Sequence, residues 1–107
     1  MIEKPYVVYI HINKINGKKY IGITCQKPEY RWGQQGQGYR ECPVFWNAIL
    51  KYGWDNFDHV IHADNLTKEE ACKLEIELIA EMNSNNPLFG YNVAKGGTAP
   101  DVELMKQ

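Results

Sequence analysis

The chain has 107 residues, with 12 basic and 13 acidic side chains and a formal net charge of −1. This length predicts one domain, and the near-neutral charge argues against a protein that binds nucleic acid through bulk positive charge. No apolar run is long enough to cross a membrane, and the first residues lack the pattern of a secretory signal. The three cysteines are widely spaced and form no C-x-x-C pair. We therefore expect reduced thiols and a cytoplasmic location.

A β-hairpin is predicted near the N-terminus. Residues 6–12 are rich in β-branched and aromatic side chains, which favour a strand. Asn16-Gly17 is a strong turn signal, and residues 19–23 would form the returning strand.

The parity of the hairpin decides which side chains share a face. With a connecting loop of even length, Tyr9, His11, Tyr20 and Gly22 lie on one face. The opposite face then carries the aliphatic side chains Val8, Ile10, Ile12, Ile21 and Ile23, and it is the expected core face. A loop of odd length would break this arrangement.

The remaining predicted elements follow in chain order. They are a short helix at Pro28–Trp32, a loop at 34–38, a helix at Pro43–Tyr52 ended by a left-handed Gly53, a turn at Asp55-Asn56, a strand at Phe57–His62 and a helix from Thr67 to about Met82. The order β-β-α-α-β-α predicts an α+β domain with a small three-stranded antiparallel sheet flanked by helices. We expect the domain to span residues 1–98 and residues 99–107 to be a tail or the start of a linker.

Glu75 is the most unusual residue of the last predicted helix. Thr67 and Glu70 form a capping-box pattern that starts this helix. At helical spacing, Glu75 falls on the same face as the apolar residues Ala71, Leu74, Leu78, Ile79 and Met82. Burying an ionised carboxylate is costly unless a cation or a hydrogen-bond donor faces it. Glu75 is therefore a candidate functional residue, and the alternative is an edge position paired with a neighbouring Lys or Arg.

Taken together, these motifs resemble the GIY-YIG nuclease family. The matching elements are Val8-Tyr9-Ile10, Tyr20-Ile21-Gly22, Arg31-Trp32, the stretch 50–57 (LKYGWDNF), Leu74-Glu75 followed by Ile79, and Gly90-Tyr91-Asn92 followed by Gly96-Gly97. The resemblance covers residues 5 to 98. No single motif is specific, but all elements stand in the family's order and at plausible spacing.

The resemblance implies a metal-dependent endonuclease that hydrolyses DNA phosphodiester bonds by in-line attack of an activated water. It implies that Arg31 binds the phosphate, since its guanidinium is always charged and matches phosphate geometry. Glu75 would hold one Mg²⁺ or Mn²⁺ ion, which binds weakly or only when the substrate is present. Sites with a single carboxylate leave room for waters and phosphate oxygens as further ligands.

The resemblance also implies roles for Tyr9, Tyr20 and Asn92. Tyr20 would activate the water and Tyr9 would orient water or phosphate, although the two roles can be exchanged. A phenol titrates near pH ~10, so a base role requires a nearby cation such as Arg31. Asn92 would tie the closing loop to the active-site strands. The alternatives are sheet packing for both tyrosines and an ordinary turn for Asn92.

The chain departs from the family pattern in two places. The first element reads Val-Tyr-Ile and lacks the glycine. Some members also have a histidine after the arginine, and here Tyr39 is the nearest substitute. The histidines His11, His59 and His62 lie on predicted strands, where core packing or surface exposure is expected. The substrate-contacting residues are expected to be Lys19, Gly22, Tyr39 and Arg40.

Two alternatives to a self-sufficient nuclease remain at this stage. The first is a catalytically silent nucleic-acid-binding or interaction module on the same scaffold. The second is the catalytic part of a larger assembly. The chain's lack of a separate DNA-binding module leaves open a homodimer or a larger nuclease assembly. The tryptophans Trp32, Trp46 and Trp54 are expected in the core, the alternative being that they stack on bases.

Overall fold

The computed structural model describes residues 4–93. The strands are β1 (Tyr6–Asn13), β2 (Lys19–Thr24) and β3 (Phe57–Leu66). The helices are α1 (Pro28–Trp32), α2 (Pro43–Tyr52) and α3 (Lys68–Met82), with short 3-10 segments at Gln34–Tyr39 and Trp54–Asn56. This is the expected α+β order. The glycine pair Gly96-Gly97 and the tail from residue 99 lie outside the described residues.

The three strands form an antiparallel sheet in the order β2-β1-β3. Tyr9 pairs with Gly22 and His11 pairs with Tyr20, so the predicted parity of the hairpin is confirmed. On the other side of the central strand β1, His11 pairs with His59. These pairings bring Tyr9, His11, Tyr20 and His59 onto one face of the sheet, because directly opposed residues share a face.

The opposite face of the sheet packs against α3. Val8, Ile10 and Ile21 form one buried cluster with the α3 residues Ala71, Leu78 and Ile79. This confirms the aliphatic side of the hairpin as a core face.

The tyrosine-bearing face is also covered, which the sequence interpretation did not anticipate. Its buried cluster contains Tyr9, Tyr39, Phe45, Ala48, Ile49, Phe57 and Tyr91. Partly buried Tyr20, Trp32, Trp46 and Trp54 pack against it, so the tryptophans belong to the core as expected. We refer to this set as the aromatic cluster. The sheet is thus buried on both sides.

Helix α3 begins with the predicted capping box. The Thr67 hydroxyl accepts a hydrogen bond from the Glu70 backbone N–H at 3.1 Å, and the Glu70 carboxylate accepts one from the Thr67 N–H at 2.9 Å. The helix ends at Asn83, which adopts the left-handed conformation with φ of 54°.

Three local predictions differ from the structure. The expected loop at 34–38 folds into 3-10 turns with a kink at Gln35 and Gly36, where φ is 53° and 76°. Strand β3 continues past His62 to Leu66, through a register shift opposite Val8. Gly53 ends α2 with φ of 88° but ψ of 138°, an extended conformation rather than the compact left-handed one. The predicted strand was too short because the polar pair Asp64-Asn65, which lies within β3, is typical of turns.

Candidate active site

The first functional side chain, Tyr9, lies across Gly22 of the neighbouring strand. A Cβ atom at position 22 would stand 2.5 Å from the Tyr9 hydroxyl oxygen. Only glycine leaves room for the phenol at this point of the sheet. Gly22, expected to contact substrate, therefore serves to accommodate Tyr9.

Arg31 projects from α1 and is held at two points. One of its terminal nitrogens donates to the Gly38 carbonyl at 2.8 Å. Its guanidinium carbon lies 4.5 Å from the centroid of the Tyr39 ring. Burial lowers the pKa of Arg31, but the neighbouring phenols of Tyr9, Tyr39 and Tyr20 raise it above the ordinary value overall. The cation is thus fixed in place beside the tyrosine hydroxyls.

Tyr39, the predicted substitute for the family histidine, reaches the same region. It is fully buried, and its hydroxyl lies 2.8 Å from Nε2 of His11. His11 Nδ1 lies 2.9 Å from Nδ1 of His59. His11 is in the core, as expected, but it also joins the hydrogen-bond network of the candidate site. His62 is exposed on β3 and takes no part in this network.

Tyr20 packs its ring against Phe45, with the ring centroids 4.4 Å apart and the planes inclined by 4°. Burial and the neighbouring Tyr9 raise the pKa of Tyr20 well above the ordinary value, and the opposing effect of Arg31 is smaller. Burial also raises the pKa of Tyr9. The expectation that Arg31 lowers these pKa values is correct in sign, but desolvation outweighs it. Both phenols are neutral at physiological pH.

Asn92 joins the closing segment to β2 through a pair of hydrogen bonds. Its amide oxygen accepts from the Ile21 N–H at 2.9 Å, and its amide nitrogen donates to the Ile21 carbonyl at 2.8 Å. This geometry agrees with the expected tie between the closing loop and the strands. It fixes the backbone between Tyr20 and Gly22.

Glu75 is buried on α3, with 8% of its surface exposed. Its negative charge is among the influences that raise the pKa values of Tyr9 and Tyr20, after burial as the main cause. The carboxylate therefore lies within electrostatic reach of both phenols. Residues 4–93 contain no group of three or more His, Cys, Asp or Glu side chains that could hold a metal ion. The carboxylate of Glu75 supplies oxygen ligands of the kind that a hard ion such as Mg²⁺ prefers, and waters and substrate oxygens would complete its coordination.

The two basic residues expected to contact substrate lie outside the aromatic cluster. Lys19 opens β2, and its ammonium group donates to the Gly17 carbonyl at 3.3 Å. Arg40 is exposed, follows the 3-10 segment, and lines an open depression with Gln37, Gly38 and Glu41. Both side chains are accessible to a ligand.

His59 and Trp54 are the participants that sequence reasoning did not assign to the site. Their rings stack with centroids 4.0 Å apart. The pairing of β3 with β1 joins distant parts of the chain, so its register could not be read from a turn motif. The sequence offered one signal for this contact, namely that His11 and His59 lie on separate predicted strands.

Comparison with known proteins identifies the family of this chain. The model of the GIY-YIG catalytic domain matches residues 5–92. The chain is 36% identical over 92 residues to "Putative endonuclease segE" of Enterobacteria phage T4, a match that covers 86% of this chain and 42% of that protein. The chain thus spans less than half of the length of this relative. No solved structure gave a significant match. The family match over nearly all of the described residues shows that the chain belongs to the GIY-YIG family.

Proposed function

We propose that this chain is a metal-dependent endonuclease domain that hydrolyses DNA phosphodiester bonds by in-line attack of water. The observation that carries the proposal is the convergence of three kinds of group. The phenols of Tyr9 and Tyr20 lie within electrostatic reach of both the guanidinium of Arg31 and the carboxylate of Glu75. Their chemical types match the positive, polar and metal-binding functions that this hydrolysis needs.

Arg31 is proposed to bind the phosphate that is cleaved. Its Gly38 contact and its position over the Tyr39 ring occupy part of the guanidinium and fix its orientation. The other N–H donors remain to bind non-bridging oxygens as negative charge builds on them. Because the guanidinium of Arg31 is already fixed in position, it needs little reorganisation during the reaction.

Tyr20 is proposed to accept a hydrogen bond from the attacking water, with Tyr9 orienting the water or the phosphate. Because burial keeps both pKa values high, the phenols act as neutral groups in the free domain. A base role for Tyr20 would require extra positive charge from the bound complex. Asn92 supports this arrangement by holding the strand that carries Tyr20.

Glu75 is proposed to hold a single Mg²⁺ or Mn²⁺ ion. When bound, such an ion neutralises charge on the phosphate and stabilises the leaving oxygen. The buried carboxylate is well suited to this because few waters compete for it. With one protein carboxylate, the affinity for the ion depends strongly on the phosphate oxygens of the substrate.

DNA is the proposed substrate, as it is implied by the family. Lys19 and Arg40 are proposed to contact its backbone outside the cleavage site. One site cuts one strand, so a double-strand break would need two copies or two successive binding events. Among residues 4–93, every helix is too short or too polar to span a membrane.

The test is cleavage of supercoiled plasmid at low salt, with Mg²⁺, Mn²⁺ or a chelator, by the native chain and by Glu75→Ala. Glu77→Ala is the matched control, since Glu77 is exposed on the same helix. The proposal predicts metal-dependent nicking by the native chain and the control, and loss in Glu75→Ala. Nicking that survives in Glu75→Ala would contradict the metal assignment. Salt-dependent DNA binding without any nicking by the folded native chain would favour the silent binding module.

A further inference from the structure

An open depression lies directly beside Arg31. It is lined by Gln37, Gly38, Arg40 and Glu41, and its volume is about 550 Å³. The carbonyl of Gly38 is the group that accepts the hydrogen bond from Arg31 at 2.8 Å. Pockets of this volume commonly hold ligands of the size of a nucleotide. The depression is therefore within reach of the nucleotide that flanks a phosphate bound by Arg31.

Two successive carbonyls of the 3-10 segment hold two arginines. The Gln37 carbonyl accepts from Nε of Arg40 at 3.2 Å, and the Gly38 carbonyl accepts from a terminal nitrogen of Arg31. Each guanidinium has five N–H donors, so others remain for phosphate oxygens. Cations held on adjacent carbonyls suit adjacent phosphates of one strand. A strand bound by both arginines would pass along the depression and bring a base to it.

Close packing fixes the backbone that carries Gln37. A Cβ atom at position 38 would overlap the backbone carbonyl oxygen of Arg31. A Cβ atom at position 36 would stand 2.6 Å from Cε3 of Trp54. The glycines on both sides of Gln37 therefore allow contacts that any other residue would block. The side chain of Gln37 starts from a position that is set before substrate binds.

The depression contains two side chains whose hydrogen-bonding groups are available. Gln37 and Glu41 are both exposed, and within residues 4–93 neither side chain has a hydrogen-bond or ion-pair partner. The carboxamide of Gln37 can donate and accept, whereas the ionised carboxylate of Glu41 can only accept. Like charges repel, so a carboxylate beside the phosphates of DNA is unfavourable unless a donor faces it.

The bases of DNA differ in whether they supply such a donor. In the major groove, adenine and cytosine present an exocyclic amino group, whereas guanine and thymine present a carbonyl oxygen at the corresponding place. A glutamate accepts from the amino group of cytosine, and a glutamine pairs with the amino group and ring nitrogen of adenine. A carbonyl oxygen facing Glu41 would leave two acceptors without a hydrogen between them.

We propose that Gln37 and Glu41 are specificity-determining residues that favour adenine or cytosine beside the phosphate that is cleaved. This proposal rests on the nuclease function proposed above and names the feature of the substrate that the site reads. Arg31 and Arg40 bind the backbone without regard to sequence. Gln37 and Glu41 select for the amino group of the base.

Mapping the nicks that the native chain makes in DNA with randomised sequence tests this preference. At one position near the nick, we expect adenine or cytosine to be favoured over guanine or thymine by about tenfold or more. Purine in place of adenine at that position removes only the amino group and should lower the rate by a similar factor. Nicking without a base preference, or at equal rates on the adenine and purine substrates, would overturn the proposal.

Glu41→Gln tests the carboxylate directly. The new amide can donate to the carbonyl oxygen of guanine or thymine, so the preference should fall close to unity. Glu29→Gln is the matched control, because Glu29 is exposed on α1 outside the depression, and it should keep the native preference. Urea midpoints equal to that of the native chain verify that both variants are folded. A native preference in Glu41→Gln, or a rate change that is equal for all four bases, would overturn the proposal.

Gln37→Ala separates the two proposed readers. The backbone carbonyl that holds Arg40 is kept, and only the carboxamide is lost. We expect the preference for adenine to fall by more than that for cytosine. Gln34→Ala is the comparison, because Gln34 is exposed in the same segment but does not line the depression. Equal preferences in the two variants would overturn the role of Gln37.

Binding measurements separate this inference from the proposed function. A randomised duplex library can be enriched on the folded native chain and on Glu41→Gln in the presence of chelator. Enrichment of adenine or cytosine that depends on Glu41, in a chain that never nicks DNA, would refute the nuclease function and leave base selection intact. Metal-dependent nicking without a base preference would refute base selection and leave the nuclease function intact.

Discussion

The guanidinium of Arg31 lies over the ring of Tyr39, with its carbon 4.5 Å from the ring centroid. This contact joins α1 to the end of the 3-10 segment, and the bond from Arg31 to the Gly38 carbonyl reinforces it. The same ring carries the hydroxyl that meets His11. Arg31, which is proposed to bind the phosphate, and the buried His11 thus both contact the Tyr39 side chain.

Arg31→Lys tests whether the shape of the cation matters as well as its charge. Lysine keeps the charge but loses the planar contact with Tyr39 and the paired donors. We expect kcat for plasmid nicking to fall by about 100-fold, the loss typical of removing one transition-state donor. Arg40→Lys is the comparison, and it should raise KM while kcat is retained. Equal kcat in the native chain and Arg31→Lys would contradict the phosphate role.

Tyr20→Phe tests the proposed contact with the attacking water. Removing the hydroxyl should lower kcat by about 100-fold or more, while the ring contact with Phe45 is preserved. Tyr9→Phe should have a smaller effect, because Tyr9 is proposed to orient rather than to activate. Tyr30→Phe changes an exposed tyrosine and serves as the control. A larger loss in Tyr9→Phe than in Tyr20→Phe would exchange the two roles.

Gly22→Ala tests the packing of Tyr9 across the sheet. The added methyl would overlap the Tyr9 hydroxyl end, so we expect the free energy of unfolding to fall by about 1–3 kcal/mol. Urea denaturation measures this change. The loss should be much smaller when Gly22→Ala is made in a Tyr9→Ala background, where the phenol is absent. Additive effects of the two substitutions would show that the methyl clashes with something else.

The buried histidine should make stability depend on pH. Burial, together with His59 and Arg31, lowers the pKa of His11 from 6.5 to about 2. Between these values the unfolded chain binds a proton that the folded chain does not, so stability falls as the pH drops below 6.5. The slope should reach at most about 1.4 kcal/mol per pH unit.

Urea unfolding of the native chain and of His11→Gln, at several pH values from neutral to mildly acidic, measures this contribution. Glutamine keeps an acceptor for Tyr39 but does not titrate. The stability of the native chain should therefore decline more steeply with falling pH than that of the variant. Parallel declines would contradict a neutral, buried His11.

The fold was predictable where local signals set the geometry. The hairpin turn at Asn16-Gly17 fixed the parity that places Tyr9 and Tyr20 on one face. The capping box defined the start of α3, and helical spacing then showed that Glu75 faces inward. These predictions depend on neighbours a few residues apart.

The remaining features depend on long-range packing. The pairing of His11 with His59 requires the register of two strands that no hairpin connects. The high pKa values of Tyr9 and Tyr20 depend on how fully α2 and the 3-10 segment cover the sheet, which the sequence pattern does not express. For the same reason, the sequence pattern identified the aliphatic face of the hairpin as a core face but did not reveal how the opposite face is covered.

Single-turnover plasmid nicking in Mg²⁺ by Glu75→Gln, compared with Glu77→Gln, tests whether Glu75 holds the metal ion that the reaction needs. Both substitutions remove one carboxylate charge from α3, but Glu75 is buried and acts electrostatically on Tyr9 and Tyr20, whereas Glu77 is exposed. We expect Glu75→Gln to abolish metal-dependent nicking and Glu77→Gln to retain the native rate. Equal nicking by the two folded variants would contradict the metal assignment.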